Sequence, residues 1–203
     1  MLLKDRVAFI TGAGSGIGAA GAGALADEGA RVIVTDKDGT AAEAVAARIV
    51  AGGGTARARE VDVTNDDVLI AAIGDVARDE GRLDVLHSHA GVQVEGKLEQ
   101  VSVAHMDLSW QLNVRAHFVA AQAAIAPMRH QGGGSVIITS SNSGVQYDRE
   151  MIAYATTKHA VLAMTRQMAA DYARENIRFN ALCPGFIDTP FTLGFEIQMG
   201  GRD

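Results

Sequence analysis

Cysteine and proline are scarce in this sequence of 203 residues, which contains one cysteine, Cys183, and three prolines. A single cysteine excludes an internal disulfide and a cysteine-rich metal site, and it suits a reducing compartment. Hydrophobic residues make up 48% of the chain. With so few prolines, that composition is not the composition of a disordered chain. We therefore expect residues 1–203 to form a single domain with a substantial core.

Blocks of basic residues and long apolar runs are absent as well. The formal net charge is −6, and no cluster of Lys or Arg provides a footprint for nucleic acid or for an anionic membrane surface. No run approaches the roughly 18 apolar residues of a membrane span. The first six residues carry charges where a signal peptide requires an apolar stretch. The sequence predicts a cytoplasmic protein that binds a small soluble ligand.

Short apolar runs alternate with longer alanine-rich stretches, which is typical of parallel βαβ units. The pattern predicts an α/β fold with a doubly wound parallel sheet in three layers and a ligand at the carboxyl ends of the strands. The last two predicted helices are the longest, and we expect each to be broken or kinked near its start, with Pro127 marking an end or a bend. Predicted strands cover residues 7–11, 31–35, 55–61, 83–88, 135–140 and 177–182, and predicted helices cover 17–28, 40–51, 65–80, 102–130 and 151–175.

A glycine-rich segment connects the first strand to the first helix. Gly12 permits a tight turn, Gly16 lets the backbone approach a pyrophosphate, and Gly18 allows close packing of helix on strand. The helix that follows offers free N–H groups to an anion. Ser15 and Ile17 belong to the same loop and are predicted to contact the ligand. A Walker-type loop is excluded because Gly-Lys-Ser/Thr is absent.

A carboxylate follows the second predicted strand. Asp36 stands eighteen residues after Gly18, where it can accept both ribose hydroxyls of an adenosine and would repel a 2′-phosphate. Lys37 could soften that repulsion. The sequence favours NAD over NADP. Asp62 and Val63, after the third strand, are placed to meet the adenine, although Asp62 could equally be a charge at the N-terminus of the next helix.

Tyr154 and Lys158 lie four residues apart in a predicted helix and so face the same way. Lowering a phenol pKa from about 10 to about 7 requires roughly 4 kcal/mol. An ammonium about 4 Å away supplies a similar amount at an effective dielectric of about 20. The pair could therefore act as a base, although any amphipathic helix can contain this spacing by chance.

Together, the glycine loop and Tyr154-x-x-x-Lys158 resemble the short-chain dehydrogenase/reductase family, in its single-domain branch, from about residue 7 to residue 189. The resemblance implies a Rossmann fold, a nicotinamide cofactor and hydride transfer to or from an alcohol or ketone. Asn113 matches the active-site asparagine of the family, and Ser141, thirteen residues before Tyr154, matches its serine. Ser140 and Ser143 are neighbours that could be confused with Ser141.

Each matched residue has a role implied by the resemblance. Tyr154 would be the general acid/base, and Ser141 would hold the substrate oxygen. Lys158 would lower the pKa of the tyrosine and hold the nicotinamide ribose, while Asn113 would fix a water that links Lys158 to solvent. The cofactor would be bordered by two further segments, one containing His89, Ala90 and Gly91 and the other Pro184, Gly185, Ile187 and Thr189.

The chain departs from the family in two places. Ser88-His89 stands where the family has Asn-Asn, so we expect a weakened brace of the central sheet with the site retained. His87 and His89 share a strand face, but a third metal ligand is not evident, so no metal site is expected. Family members also continue through a substrate lid, a helix and a last strand. We expect this sequence to lack them, leaving the sixth strand as an edge that belongs to a fragment or is covered by a partner.

Two other functions stay open from sequence alone: a nucleotide-binding protein without turnover, and an NAD-dependent epimerase or dehydratase. The two long helices resemble those that pair the family's subunits, which implies a homodimer or homotetramer. Trp110, Phe118, Met164 and Met168 are candidate contacts, and each could equally belong to the core. The substrate pocket would be lined by residues 92–97, 146–151 and those from 186 onward.

Overall fold

In a computed structural model, which describes residues 1–191, six parallel strands form one sheet in the order β3-β2-β1-β4-β5-β6. The sheet order reverses between β1 and β4, which creates a crevice at the carboxyl ends of these strands. The strands are β1 (Val7–Ile10), β2 (Arg31–Asp36), β3 (Thr55–Glu60), β4 (Val85–Ser88), β5 (Gly134–Thr139) and β6 (Ile177–Leu182).

Side chains of the central strands alternate between two hydrophobic cores, because successive strand residues point to opposite faces. From β1, Val7 and Phe9 enter one core while Ala8 and Ile10 enter the other. Both faces are covered, which explains why the central strands read as continuous apolar runs. The helices that cover them are α1 (Gly16–Asp27), α2 (Gly39–Ala51), α3 (Asp66–Asp79), α4 (Val103–Trp110), α5 (Ala116–His130) and α6 (Ile152–Tyr172).

All six predicted strands and the three-layer parallel fold are confirmed. The predicted helix over 102–130 is not one regular helix, because a π-helical turn at Gln111–Arg115 separates α4 from α5. Helix α6 is regular through its start and instead passes into a 3-10 turn, Ala173–Glu175, at its end. Pro127 lies inside α5, whose last residue is His130, so it marks the final turn. The break expected in residues 102–130 is therefore present in the first half of that stretch, and Pro127 lies at a helix end as predicted, whereas the break expected near the start of 151–175 is absent.

The sheet edges are β3 on one side and, among residues 1–191, β6 on the other, where β6 pairs only with β5. The predicted edge position of β6 is therefore confirmed for this part of the chain. The family's lid and last strand would follow residue 191, outside the described residues. None of the helices in residues 1–191 has the length and hydropathy needed to cross a bilayer.

Candidate active site

The glycine loop leaves β1 and closes tightly on the segment after β4. Gly12 and Gly16 adopt left-handed φ angles of 65° and 52°, which favour glycine. A Cβ on Gly12 would lie 2.8 Å from the Cα of Ala90, and one on Gly18 would overlap the Gly12 carbonyl oxygen. The loop is therefore a backbone cradle that side chains would fill.

Helix α1 presents its N-terminus to this cradle. Its N-cap residue, Ser15, makes no side-chain cap hydrogen bond, and its first turn contains no acidic residue. The first N–H groups of a helix lack partners within the helix and favour an anion. Gly12, Ser15, Gly16, Ile17 and Gly18 thus form an arrangement that fits a pyrophosphate, as the sequence predicts.

Asp36 ends β2 beside the loop. One carboxylate oxygen accepts a hydrogen bond from Gly14 N at 2.9 Å, and the other accepts one from Asp38 N at 3.0 Å. Because Val61 N donates to Asp36 O at 2.8 Å, the residues after β3 lie next to Asp36. The predicted adenosine-binding residues are therefore neighbours in space.

Asp62 is exposed, and its carboxylate accepts hydrogen bonds from the backbone N–H and the hydroxyl of Thr64, which lower its pKa. The N-cap of α3 is Asn65, whose side chain accepts from Val68 N. Asp62 is therefore not the N-cap of α3, but Asn65 N donates to its carbonyl at 3.1 Å, so it lies at this helix end and its alternative interpretation as an N-terminal charge stays open. Val63 is buried in the core.

Tyr154 and Lys158 are both buried on α6 where it crosses the end of β5. Lys158 is 3% exposed, and its Nζ donates to Thr139 O at 2.9 Å and lies 5.6 Å from the centre of the Tyr154 ring. The side chain of Ser141, which donates to Asn142 Oδ1 at 2.9 Å, also lies close enough to Tyr154 to lower its pKa. The predicted tyrosine, lysine and serine meet at one place.

The titration of this pair differs from the sequence expectation. Burial raises the pKa of Tyr154, an effect that the Ser141 hydrogen bond reduces and the negative charge of Asp148 increases. Burial lowers the pKa of Lys158 to about 8. The expected lowering of the Tyr154 pKa by Lys158 is thus not found, because desolvation of the phenol dominates.

The three neighbouring serines are distinguished by their partners. Ser140 donates to Lys158 O at 2.9 Å, and Ser143 donates to the Asp148 carboxylate. Of the three serines, only Ser141 affects the pKa of Tyr154, which favours it over the two alternatives.

Asn113 lies in the π-helical turn between α4 and α5, a distortion that often occurs at functional sites. Its side chain accepts from Val92 N at 2.9 Å and donates to Val92 O at 2.8 Å and to Thr157 Oγ1 at 3.1 Å. A Cβ on Gly91 would lie 2.8 Å from Asn113 Oδ1 and 3.5 Å from Lys158 Nζ. Asn113 therefore joins the segment after β4 to α6.

The Ser88-His89 departure is accommodated by partners that the sequence did not predict. Ser88 Oγ lies 2.7 Å from Nδ1 of His117, a fully buried residue of α5, so the strand is still braced. His89 Nδ1 lies 2.9 Å from Thr139 Oγ1. Thr139 could have been found from its place at the carboxyl end of β5, but the sequence contains no signal for the pairing with His117.

The segment after β6 closes over the glycine loop. Pro184 O accepts from Asn142 N at 2.8 Å, next to Ser141. Further along, the side chain of Thr189 would lie 3.4 Å from a Cβ on Gly16, and the Phe191 ring centre lies 6.5 Å from that of Tyr154. Gly185 and Ile187 are exposed between these anchors. The predicted nicotinamide segment therefore spans from the serine to the phosphate loop.

Two of the predicted substrate loops are joined to each other. A parallel β-bridge pairs Gly96 with Met151, and Lys97 forms a salt bridge with Glu150. Asp148, in the second loop, has its charge close enough to raise the pKa of Tyr154. One acidic group therefore lies near the reacting centre. No three His, Cys, Asp or Glu side chains among residues 1–191 are grouped as metal ligands would be.

Comparisons with known proteins agree with this geometry. A family model described as short chain dehydrogenase matches residues 6–198. The 2-(S)-hydroxypropyl-CoM dehydrogenase 3 of Xanthobacter autotrophicus is 37% identical over 201 residues, 99% of this chain and 78% of that protein. Levodione reductase of Leifsonia aquatica is 36% identical over 194 residues, 92% of this chain and 71% of that protein.

Solved structures show the same likeness. The crystal structure of a levodione reductase superposes with a TM-score of 0.93 at 32% identity, covering 97% of this chain and 78% of that one. A structure from Beutenbergia cavernae, assigned provisionally as an NAD(P) dependent gluconate 5-dehydrogenase, has a TM-score of 0.92 at 32% identity and covers 98% of this chain and 79% of that one. It holds NADP at low occupancy.

Proposed function

This chain belongs to the short-chain dehydrogenase family, and from that membership we propose that it is an NAD(P)-dependent oxidoreductase acting on a secondary alcohol or the corresponding ketone. The observation that carries the proposal is the meeting of Tyr154, Lys158 and Ser141 beside the glycine loop. When bound, the cofactor supplies hydride chemistry that no side chain can supply.

In the proposed mechanism, Tyr154 exchanges a proton with the substrate oxygen through its phenol hydroxyl. The raised pKa of Tyr154 means that the phenol holds its proton in this structure, the form needed to donate to a ketone. Ser141 lies beside the same phenol, close enough to lower its pKa, and would hold the substrate oxygen as charge develops on it. Lys158, held by the Thr139 carbonyl, is placed to bind a ribose hydroxyl.

The remaining predicted residues are proposed to bind and orient the cofactor. The glycine loop with Ser15 and Ile17 would bind the pyrophosphate, and Asp36 the adenosine ribose. Asn113 would position Lys158 through the segment after β4. The nicotinamide would be bordered by Ala90, Gly91, Pro184, Gly185, Ile187 and Thr189, and the adenine by Asp62 and Val63.

We favour NAD over NADP because the Asp36 carboxylate lies against Gly14 N, where a 2′-phosphate would meet a negative charge. We expect NADH to bind at least about tenfold more tightly than NADPH, a difference of about 1.4 kcal/mol. In Asp36→Ser, which keeps a polar side chain without the charge, NADPH should gain and NADH lose affinity. Fluorescence titration of both proteins with both cofactors checks this.

Asp38→Ser is the matched control, since it removes the next carboxylate, which caps α2 through Ala41 N. A wild-type preference for NADPH would contradict the Asp36 argument. Such a preference would suggest that the 2′-phosphate is bound by Arg48, which borders the same depression as Gly14 and Ser15.

Asp148 provides a test of the acid/base assignment through pH. Its charge raises the pKa of Tyr154, so Asp148→Asn should lower that pKa. In alcohol oxidation, which needs the phenolate, the rise of kcat with pH should move to lower pH. Ser143→Ala is the control, because it removes the hydrogen bond to Asp148 and keeps the charge. If the dependence of kcat on pH shifted in neither Asp148→Asn nor Ser143→Ala, the assignment of Tyr154 as the acid/base would be contradicted.

A cytoplasmic homodimer or homotetramer is also proposed. Trp110 and Phe118 support it, since they are 46% and 49% exposed around the π-helical turn, large apolar rings that a second copy could cover. Met164 and Met168, by contrast, pack partly against the core. The mass in solution, measured by light scattering, would be that of a monomer if this proposal were wrong.

A further inference from the structure

Three side chains beneath the phosphate loop are connected by hydrogen bonds that the mechanism above does not use. His87 Nε2 lies 3.0 Å from Thr139 Oγ1, and His89 Nδ1 lies 2.9 Å from the same oxygen. The two imidazole ring centres are 5.3 Å apart. The hydroxyl of Thr139 therefore bridges two histidines from the end of the neighbouring strand.

The bridge has a definite proton count. Burial lowers the pKa of His87 to about 4, and burial, together with His87 and Lys158, lowers the pKa of His89 to about 3, so both rings are neutral near pH 7. A neutral imidazole has one donor and one acceptor nitrogen, and a hydroxyl has one proton. No other acceptor for the Thr139 hydroxyl proton is found among the described residues, so Thr139 donates to one ring and accepts from the other, which fixes the tautomers of both together.

The surroundings of His87 decide to which of the two rings the Thr139 hydroxyl donates. His87 Nδ1 faces the backbone of Gly21 in α1, where a Cβ would lie 3.4 Å away, and no hydrogen bond joins this nitrogen to another residue in the described range. If Thr139 donated to His87, an N–H would be left without a protein acceptor on a side chain that is only 5% exposed. If His87 instead donates to Thr139 through Nε2, its Nδ1 carries only a lone pair. His87 therefore donates through Nε2, and Thr139 donates to His89.

His89 then carries its ring proton on Nε2, the nitrogen that does not face Thr139. A Cβ on Gly18 would lie 2.8 Å from His89 Cδ2, the ring atom bonded to Nε2, so this edge lies against the phosphate loop. His89 is partly exposed whereas His87 is buried, and His89 Nε2 is not one of the buried unpartnered side-chain atoms of residues 1–191. His89 Nε2 thus reaches the crevice.

We propose that His87 and Thr139 hold His89 as its Nε2–H tautomer, and that this N–H is a donor to an oxygen of the dinucleotide backbone that AMP lacks, on the second phosphate or the nicotinamide ribose. The inference rests on the proposed cofactor site. Thr139 and His87 are positioning residues in it, since they act through His89. The Thr139 carbonyl at the same time holds Lys158, so one residue orients both the phosphate loop donor and the active-site lysine.

The tautomer is tested in the cofactor-free protein by long-range ¹H–¹⁵N correlation NMR. We expect His89 to show a protonated Nε2 and a bare Nδ1 in the wild type and in Thr139→Ser, which keeps the hydroxyl. In Thr139→Val, which keeps the carbonyl that holds Lys158, the His89 signals should shift to a mixture of tautomers. A protonated Nδ1 in the wild type, or identical His89 signals in wild type and Thr139→Val, would overturn the proposal.

Binding is tested separately by calorimetry with NADH, ADP-ribose and AMP. His89→Phe keeps a ring of similar shape without a donor, and it should weaken NADH and ADP-ribose by about tenfold, as expected for a hydrogen bond to a charged group, and AMP by less than about twofold. Thr139→Val should weaken NADH less, by about threefold, and Thr139→Ser should bind as the wild type does.

Equal weakening of AMP in His89→Phe would mean a general effect on the loop and would overturn the donor role. Unchanged NADH affinity in that variant would overturn it too. Failure of the wild type to bind any of the three ligands would instead overturn the proposed function, while the NMR result would still decide whether the bridge sets the tautomer.

Discussion

Replacing Tyr154 by phenylalanine should lower kcat by about 10²–10⁴-fold, the usual contribution of a general acid/base, while NADH affinity changes by less than about twofold. The substitution removes only the phenol hydroxyl, whose pKa Ser141 lowers. The buried ring keeps its place on α6, 5.6 Å from Lys158 Nζ. Steady-state ketone reduction and an NADH titration of the same preparation measure both quantities.

Tyr172→Phe is the matched control because it makes the same chemical change at the end of the same helix, where Tyr172 packs against Phe179. It should leave kcat unchanged. Retention of more than about a tenth of the wild-type kcat in Tyr154→Phe would show that the phenol is not the proton donor.

The second large effect is expected from Gly18→Ala. Its methyl group would overlap the Gly12 carbonyl oxygen and come within 2.8 Å of the His89 ring. Because this carbonyl belongs to the backbone, it cannot move without opening the loop. Forced overpacking of this kind destabilises by about 3 kcal/mol. We expect that loss in denaturant unfolding, together with at least a tenfold rise, by rough estimate, in the Kd for NADH.

Gly23→Ala provides the comparison within the same helix, α1. A Cβ on Gly23 would meet no heavy atom within 4 Å, so the substitution should stabilise the protein by up to about 1 kcal/mol through helix propensity. It should leave NADH binding unaltered. If the two alanine variants unfolded at the same denaturant concentration, the close approach of Gly18 to Gly12 would be wrong.

The fold could be predicted because its signals are local. The central strands β1, β2 and β4 are buried on both faces and therefore read as apolar runs. The glycine loop lies between the first strand and the first helix in sequence as in space. The tyrosine and lysine are four residues apart on one helix. Their meeting with Ser141 follows from the parallel order of the sheet, which brings strand ends together.

What the sequence could not provide depends on contacts between distant residues. The π-helical turn at Asn113 follows from bonds to Val92 and Thr157, which no local pattern announces. The pKa of Tyr154 was expected to fall, but a pattern of residues gives no measure of burial, and burial raises it. The bridge from His87 through Thr139 to His89 joins two strands that are neighbours in the sheet and about fifty residues apart in the chain.

The most direct test of the account is transfer of a deuterium label. The protein would be incubated with NADH deuterated at both positions of the nicotinamide C4 and a panel of cyclic and acyclic ketones, and the alcohols would be examined by mass spectrometry. The account predicts alcohol carrying one deuterium on the carbinol carbon, lost in Tyr154→Phe. Tight NADH binding with no labelled alcohol from any ketone would identify a binding protein without turnover. A product at an unchanged redox level would identify an epimerase or dehydratase, and either result would contradict the account.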